Sequence, residues 1–143
     1  MSDDAVLSAN RSFYDALESG DMDLMGALWA PDQGCVCIHP TASPIHGRPA
    51  VLRSLALIMA NTSYIQFFLT DVEVTLSGDR AVVTCTENIL TSAPGRHEAA
   101  EEPAEPATEL VSARAACLNA FVRRDDGWRL WVHHATSLPS GAS

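Results

Sequence analysis

The alternation of hydrophobic and polar positions divides this chain into a helical first half and a strand-forming second half. In the first sixty residues, apolar side chains recur every three or four positions, as they do on one face of an α-helix. The predicted helices cover residues 3–19, 22–29 and 48–60. Gly20 and Asp21 end the first helix and cap the second, and Pro49 suits the first turn of the third. A short strand over residues 35–40 and a loop over residues 41–47 precede the third helix.

The second half alternates with a period of two, which is typical of β-strands with one buried face. The predicted strands cover residues 64–76, 80–91, 109–124 and 128–136. Apolar positions change parity within the first of them, which predicts a β-bulge near Thr70 and Asp71. Helices first and an antiparallel meander later indicate an α+β fold. We expect one strongly curved antiparallel sheet, wrapped around the three helices, with a space beneath its concave face.

The segment before the third long strand is the least regular part of the chain. It is rich in Ala, Glu and Pro, and its acidic part, residues 97–109, holds five of the 18 Asp and Glu residues. We predict a mobile loop with a solvated surface, and a lid or a partner-binding arm is the alternative. The length favours one domain over residues 1–138, with a frayed tail over residues 139–143.

Charge and composition narrow the classes of partner and compartment. The net charge is −9, so we expect neither nucleic acid nor an anionic membrane as a partner, because phosphate binding needs clustered Lys and Arg. No apolar run approaches the roughly 18–20 residues of a membrane span, and the first residues are acidic, so we expect a cytoplasmic protein. The cysteines show no zinc-type spacing, and we expect buried free thiols at Cys35, Cys37, Cys85 and Cys117.

Five ordered stretches of the chain resemble the SnoaL-like group of the nuclear transport factor 2-like superfamily. They are FYDALESGDMDLMGALWAPD (13–32), CIHP (37–40), HGRPAVLRSL (46–55), SGDRAVVT (77–84) and DGWRLWVHHATSLP (126–139). The resemblance implies a cone-shaped α+β barrel with an apolar pocket at its open end and frequent homodimers across the outer sheet. It does not imply one reaction, since the superfamily includes isomerases, cyclases, dehydratases, epoxide hydrolases and members that only bind or assemble.

Two catalytic patterns of the superfamily have partial counterparts in the chain. Isomerase-type members use an aspartate base facing a tyrosine–acid pair; Tyr14 lies where a pocket tyrosine is expected, but the sequence pairs no acid with it. Epoxide-hydrolase members use an Asp-Arg-Asp set, for which Asp71, Arg114 and Asp79 have the right chemistry. Asp79 belongs to a turn, which speaks against that set.

Three histidines are the candidate catalytic residues. His39 ends a short strand, where a neutral imidazole could act as a general base or could plug the barrel by bonding a backbone carbonyl. Strict alternation divides the end of the last strand between two faces, Leu130, Val132 and His134 on one and Arg129, Trp131 and His133 on the other. One histidine of the pair therefore faces inward. Two histidines are too few ligands for a zinc site, since zinc takes three or four protein ligands. We therefore predict neither a metal nor a cofactor.

The candidate ligand-binding residues are aromatic or isolated polar side chains within apolar runs. Pocket or core roles are both open for the aromatic residues, which are Tyr14, Trp29, Tyr64, Phe67 and Trp131. Arg114 and Glu87 lie in the middle of strands, and we expect a cross-strand ion pair between them on the outer face, with anion recognition in the pocket as the alternative for Arg114. Asn119 suits a pocket hydrogen bond or an interface contact.

The sequence leaves three functions open. The first is a SnoaL-like protein that binds a small hydrophobic metabolite in its cavity. The second is an isomerase, cyclase or hydrolase that uses His39 with His133 or His134 as acid–base groups. The third is a structural or regulatory dimer whose cavity is filled by Trp29 and Trp131. Two inward histidines beside free space would favour the enzyme.

Overall fold

The computed structural model describes residues 3–31, 34–92 and 110–139. Three helices and six strands occur in these residues. The helices are α1 (Asp4–Ser19), α2 (Met22–Leu28) and α3 (Arg48–Ala60). The strands are β1 (Val36–Ile38), β2 (Ile45–His46), β3 (Ile65–Ser77), β4 (Arg80–Ser92), β5 (Leu110–Arg124) and β6 (Gly127–Ser137). The acidic segment 97–109 and the tail residues 140–143 lie outside the described residues.

The end of α1 and the start of α2 lie at the predicted positions because their boundary residues satisfy free backbone groups. Gly20 adopts a left-handed conformation with φ of 70° and donates its N–H to the Ala16 carbonyl at 2.9 Å. The Asp21 carboxylate accepts a hydrogen bond from the backbone N–H of Leu24 at 3.0 Å, which caps α2. None of the helices in the described part of the chain is long and apolar enough to cross a membrane.

The strands form one sheet in the order β2-β1-β6-β5-β4-β3. The predicted meander is confirmed, since β3, β4, β5 and β6 pair with their neighbours in antiparallel fashion. The sheet is not wholly antiparallel, because β1 runs parallel to β6, and the predicted loop over residues 41–47 contains the short strand β2. β1 follows α2 along the chain and reaches β6 by a crossover. Tertiary packing therefore sets the direction of β1 relative to β6.

Two β-bulges curve the sheet around the helices. In β3 the register shifts between Thr70 and Glu73, where Asp71 has φ of 55°, as the parity change predicted. In β6 Trp131 is the extra residue, because Ala120 pairs with Val132 while Phe121 pairs with Leu130. The core lies between the concave face of the sheet and the helices; its largest fully buried side chains are Trp29, Tyr14, Phe13, Phe121, Met25 and Leu55.

Candidate functional site

An apolar cavity of about 130 Å³ lies between α1, α3 and the concave face of the sheet. Its walls are mostly hydrophobic side chains, among them Phe13, Leu17, Leu55, Ile58, Met59, Ile65, Phe67, Ile89 and Ala135. Three groups that can exchange protons also line it, namely His39, Glu87 and His133. An apolar pocket with a few convergent polar groups is the usual form of a small-molecule site.

His133 is the histidine of the C-terminal pair that faces the cavity. It is 5% exposed, whereas His134 is exposed on the opposite face of the sheet. The strict alternation predicted for this strand is wrong, because the extra residue Trp131 shifts the parity and places Leu130 and His133 on the same, inner face. His134 therefore lies outside the cavity.

The hydrogen bonds of His133 fix which ring nitrogen carries the proton. Its Nδ1 lies 2.6 Å from Asn119 Oδ1. The Asn119 amide nitrogen donates to Asn10 Oδ1 at 2.8 Å, so Oδ1 is the accepting atom and His133 Nδ1 is the donor. The lone pair is then on Nε2. Burial, with smaller contributions from His39 and His134, lowers the pKa of His133 to about 3, so the imidazole is neutral at physiological pH.

Glu87 and Tyr14 form a buried pair beside His133. The Tyr14 hydroxyl donates to Glu87 Oε2 at 2.6 Å, and the two side chains are 0% and 4% exposed respectively. Burial raises the pKa of Glu87, partly offset by hydrogen bonds from Tyr14 and Cys117. Burial also raises the pKa of Tyr14, which keeps its hydroxyl protonated as a donor. Glu87 is therefore the acidic partner of Tyr14, which the sequence pattern did not identify.

The prediction of an ion pair between Glu87 and Arg114 is wrong. Glu87 pairs with Ala115 in the sheet and Arg114 pairs with Asn88, so the two charged side chains point to opposite faces. Arg114 is exposed on the outer face, away from the cavity. The Asp-Arg-Asp alternative also fails, because Asp71 and Asp79 are exposed as well.

A continuous hydrogen-bonded network supports the polar end of the cavity from behind. Asn119, which is fully buried, donates to Asn10 and to the Tyr14 hydroxyl at 3.2 Å while accepting from His133. Cys117 Sγ lies 3.2 Å from the Tyr14 hydroxyl. Asn119, for which a pocket hydrogen bond or an interface contact was predicted, does not itself line the cavity and acts behind its wall through Tyr14 and His133.

His39 lies across the cavity from this network. Its Nε2 is 2.6 Å from Ser54 Oγ on α3, and its ring centroid is 6.5 Å from that of His133. Burial lowers the pKa of His39, so this half-buried imidazole is also mainly neutral. The alternative of a histidine plug bonded to a backbone carbonyl is not what the structure shows, because the partner is a serine hydroxyl.

The predicted aromatic residues divide between the cavity, the core and the surface. Phe67 lines the cavity, and Tyr14 lies directly behind it. Trp29 is core, with its ring centroid 6.4 Å from that of Phe13. Tyr64 is 43% exposed, and Trp131 is partly buried against the core with Arg80 over its ring at 5.3 Å. The cavity is therefore not filled by Trp29 and Trp131.

A cluster of potential metal ligands overlaps the acid–base groups. Glu87, Cys117 and His133 each offer a ligand atom, and these atoms lie within 4.8 Å of one another. Thiolate, imidazole and carboxylate are donors that zinc accepts. A cation here would have to displace the Tyr14 hydroxyl from both Glu87 and Cys117, which it contacts in the present structure.

The four cysteines are buried free thiols, as predicted.

Glu87, Ser54 and Asn10 are the site residues that the sequence analysis missed. A signal for Glu87 was present, since it shares the parity of the inward side chains Ala81, Val83, Cys85 and Ile89 along β4. For Ser54 and Asn10 no local signal exists, because their partners lie on distant elements. Together the site offers a carboxyl with a raised pKa, two neutral imidazoles and an apolar wall, which is a set suited to proton transfer.

Comparisons with known proteins agree with this fold. A SnoaL-like domain model matches residues 6–140. A structure from Streptomyces avermitilis, described as a proposed dehydratase of the NTF2-like family, is 43% identical, with a TM-score of 0.86 over 96% of this chain and 97% of that one. A proposed calcium/calmodulin-dependent protein kinase type II association domain from Thiobacillus denitrificans is 28% identical, with a TM-score of 0.72 over 92% and 93%.

A more distant structure shares the fold alone. It comes from Novosphingobium aromaticivorans, is described as a proposed aromatic ring hydroxylase, and is 17% identical, with a TM-score of 0.75 over 94% of this chain and 87% of that one. No curated protein matches the chain.

Proposed function

The chain belongs to the SnoaL-like family of the nuclear transport factor 2-like superfamily, and we propose that it is an acid–base enzyme that removes water from a small, largely apolar hydroxy-carbonyl compound. The observation that carries the proposal is the convergence of Glu87, His133 and His39 on one apolar cavity. Two inward histidines beside free space favour an enzyme over a filled structural module.

The cavity limits the substrate to about one six-membered ring in its enclosed part. Its volume is about 130 Å³, and an apolar cavity of roughly 150 Å³ is known to hold benzene. The walls from α3 and β3 are hydrophobic, so the hydrocarbon part of the substrate packs there. The polar part then lies against Glu87 and His133.

Glu87 and His133 are placed to hold one substrate oxygen between them. Their nearest polar atoms are within 4.8 Å of each other, so an oxygen at hydrogen-bond distance of about 2.8 Å can reach both. We assign Glu87 as the acid that protonates the leaving hydroxyl, because its raised pKa keeps a proton on the carboxyl nearer neutral pH. His133 Nε2 accepts a hydrogen bond and orients the hydroxyl.

His39 is the proposed base. It is mainly neutral, half-buried and held by Ser54, so it can take the proton from the carbon next to the carbonyl. The carbon–oxygen bond then breaks, its hydroxyl leaves with the Glu87 proton as water, and a carbon–carbon double bond forms. Solvent returns the proton from His39 to Glu87. The description of the Streptomyces avermitilis relative as a proposed dehydratase supports this class of reaction.

The proposal can be tested with 3-hydroxycyclohexanone, a probe of one ring whose dehydration gives a conjugated ketone detectable by ultraviolet absorbance. Glu87→Gln and His39→Gln should each reduce turnover by about 10²–10⁴-fold, as expected for a lost acid or base. Exchange of the α-proton with deuterated solvent, followed by NMR, reports the base step separately.

His134→Gln is the matched control, because it makes the same change one position from His133 but on the exposed outer face. It should leave turnover unchanged, whereas His133→Gln should lower it. If the native protein shows no turnover and no deuterium exchange with this probe or with its open-chain β-hydroxy ketone analogues, the dehydratase assignment is contradicted. Saturable binding of the probe without either reaction would favour the metabolite-binding function.

The outer face of the sheet supports a second proposal, that two copies of the chain form a dimer there. Apolar side chains are exposed on this face at Phe68 (52%) and Leu118 (37%), and the Thiobacillus denitrificans relative is described as an association domain. Leu118→Glu should convert a dimer to a monomer in analytical ultracentrifugation. Leu57→Glu on α3, where Leu57 is 60% exposed, is the control that should leave the mass unchanged.

The cytoplasm is the location we propose for the protein. Its four buried cysteines are all free thiols, which suits a reducing compartment.

A further inference from the structure

The apolar cavity has a closed end and an open end. On α3, Leu55 is 1% exposed, whereas Ile58, about one helical turn later, is 37% exposed, and both line the cavity. On β3, the lining residue Phe67 is buried and the lining residue Ile65 is half-buried. The exposure of the lining side chains therefore rises toward the end of α3 and the start of β3, which form the mouth of the cavity.

Strand β4 links the proposed acid to this mouth. Glu87 is buried, and the next inward residue on the strand, Ile89, is half-buried and pairs with Phe67 of β3. Residues two positions apart on a strand are separated by about 7 Å, so Glu87 lies roughly that far below the mouth. Since the enclosed part holds about one six-membered ring, a longer substrate has to extend between the side chains of the mouth.

Aliphatic side chains surround the mouth. The side chains of Ile58, Met59, Ile65 and Ile89 all line the cavity and form what we call its rim. Thr62 also lies there, but its hydroxyl donates to the Ile58 carbonyl at 2.6 Å. Among the residues that the structure describes, no arginine lines this cavity, and the chain contains no lysine. The described rim therefore offers apolar surface and no cationic partner for an acidic group.

We propose that the rim binds a hydrocarbon chain of the substrate, which is then a hydroxy-carbonyl compound that carries an alkyl chain and not a bare ring. The inference rests on the proposed dehydratase function for the polar end of the substrate. The rim is continuous with the closed end, where Glu87 and His133 are buried. A chain that covers Ile58 and its neighbours removes apolar surface from water, so each methylene group buried there should tighten binding about fourfold.

Ketones without a hydroxyl group measure binding separately from the reaction. Cyclohexanone, 4-ethylcyclohexanone and 4-butylcyclohexanone carry a growing chain opposite the carbonyl, and none of them can lose water. The butyl group adds two methylene groups to the ethyl group, so full burial would tighten binding about fifteenfold, and half-burial in an open mouth about fourfold. We therefore expect the Kd to fall at least about fourfold from the ethyl to the butyl compound.

Isoleucine methyl signals in a ¹³C-correlated NMR spectrum locate the chain on the native protein. The sequence contains five isoleucines, and three of them, Ile58, Ile65 and Ile89, line the cavity. The butyl compound should shift these three signals in a saturable way. The signal of Ile45, which belongs to β2 and does not line the cavity, should stay in place. Single substitutions assign the signals.

Two variants of neighbouring residues on α3 test whether the rim itself is the site. Ile58→Asn and Leu57→Asn each replace an exposed aliphatic side chain, but only Ile58 lines the cavity. Ile58→Asn should reduce the gain from ethyl to butyl to less than about twofold. Leu57→Asn should keep the gain of the native protein. If circular dichroism shows that Ile58→Asn is unfolded, Met59→Gln replaces it.

Four results would overturn the proposal. They are equal Kd values for the ethyl and butyl compounds, no saturable binding of any of the three ketones, an undiminished gain in the rim variant, and tighter binding of (4-oxocyclohexyl)acetate than of 4-ethylcyclohexanone, which would indicate an ionic extension. Shifts of the same isoleucine signals on dilution of the ligand-free protein would assign the rim to a second copy of the chain instead.

The failure of the proposed function gives a different result. If 3-hydroxycyclohexanone is not turned over while the gain from ethyl to butyl is present and depends on Ile58, the rim binds a hydrocarbon chain and the dehydratase assignment alone is wrong. If that compound is turned over and the chain has no effect on the Kd, the rim proposal alone is wrong.

Discussion

The buried neutral state of His133 predicts a specific loss of stability in mild acid. The pKa of His133 is about 3 in the folded protein and about 6.5 in an unfolded chain. Below pH 6.5 the unfolded chain therefore binds a proton that the folded protein does not. The stabilisation is complete above pH 6.5 and is lost progressively as the pH falls toward 3.

The magnitude follows from the two pKa values. Each pH unit between them costs about 1.4 kcal/mol, so this one side chain should lower the free energy of unfolding by about 2 kcal/mol between pH 8 and pH 5. The pKa of His39 is also lowered, and it adds to the loss. The raised pKa of Glu87 acts in the opposite direction, because the folded state binds that proton first.

Comparison with a variant isolates the contribution of His133 from those of its neighbours. The free energy of unfolding is measured by urea denaturation, followed by circular dichroism, at pH 8, 7, 6 and 5 for the native protein and for His133→Gln. The native protein should lose about 2 kcal/mol more than the variant between pH 8 and pH 5. His46→Gln, which changes an exposed imidazole on β2, should follow the native curve.

Parallel curves for the native protein and His133→Gln would refute this reasoning, because they would mean that His133 has a similar pKa in the folded and unfolded chains. A second readout is the ring ¹⁵N shift of His133, which should stay in the neutral range down to pH 5. A titration midpoint near pH 6.5 for the His133 ring signal would also refute this reasoning.

Three further predictions concern the cavity and its support. Tyr14→Phe should lower the free energy of unfolding by about 1.5–3 kcal/mol in urea, since it removes a donor from buried Glu87 at 2.6 Å; a loss below about 0.5 kcal/mol would contradict that. Ala135→Leu places a larger side chain in the cavity and should abolish binding of 3-hydroxycyclohexanone in ligand-observed NMR, and unchanged binding would place the probe elsewhere. Glu18→Ala should cost about 1–3 kcal/mol, because its carboxylate accepts the backbone N–H of Phe67 at 2.8 Å, and a neutral effect would show that water replaces it.

The sequence by itself determined the three helices, five of the six described strands and their order. Helix and strand periodicities are local properties of the chain, and so are the Gly20 and Asp21 signals at the helix ends. The parity change in β3 even predicted the bulge near Asp71, because an extra residue reverses the order of apolar and polar positions within one strand. The curved α+β sheet followed from that order, whereas the family followed from the resemblance of five sequence stretches.

Tertiary structure alone decided which side chains meet at the cavity. The bulge at Trp131 leaves no parity signal that distinguishes His133 from His134, and it becomes visible only in the pairing of β6 with β5. The register of β4 against β5 turns Glu87 inward, toward a tyrosine 73 positions earlier in the chain. The parallel pairing of β1 with β6 places Cys37 beside His133 and leads the chain on to His39. These contacts depend on pairing and packing between distant segments, whereas periodicity reports only the faces within one segment.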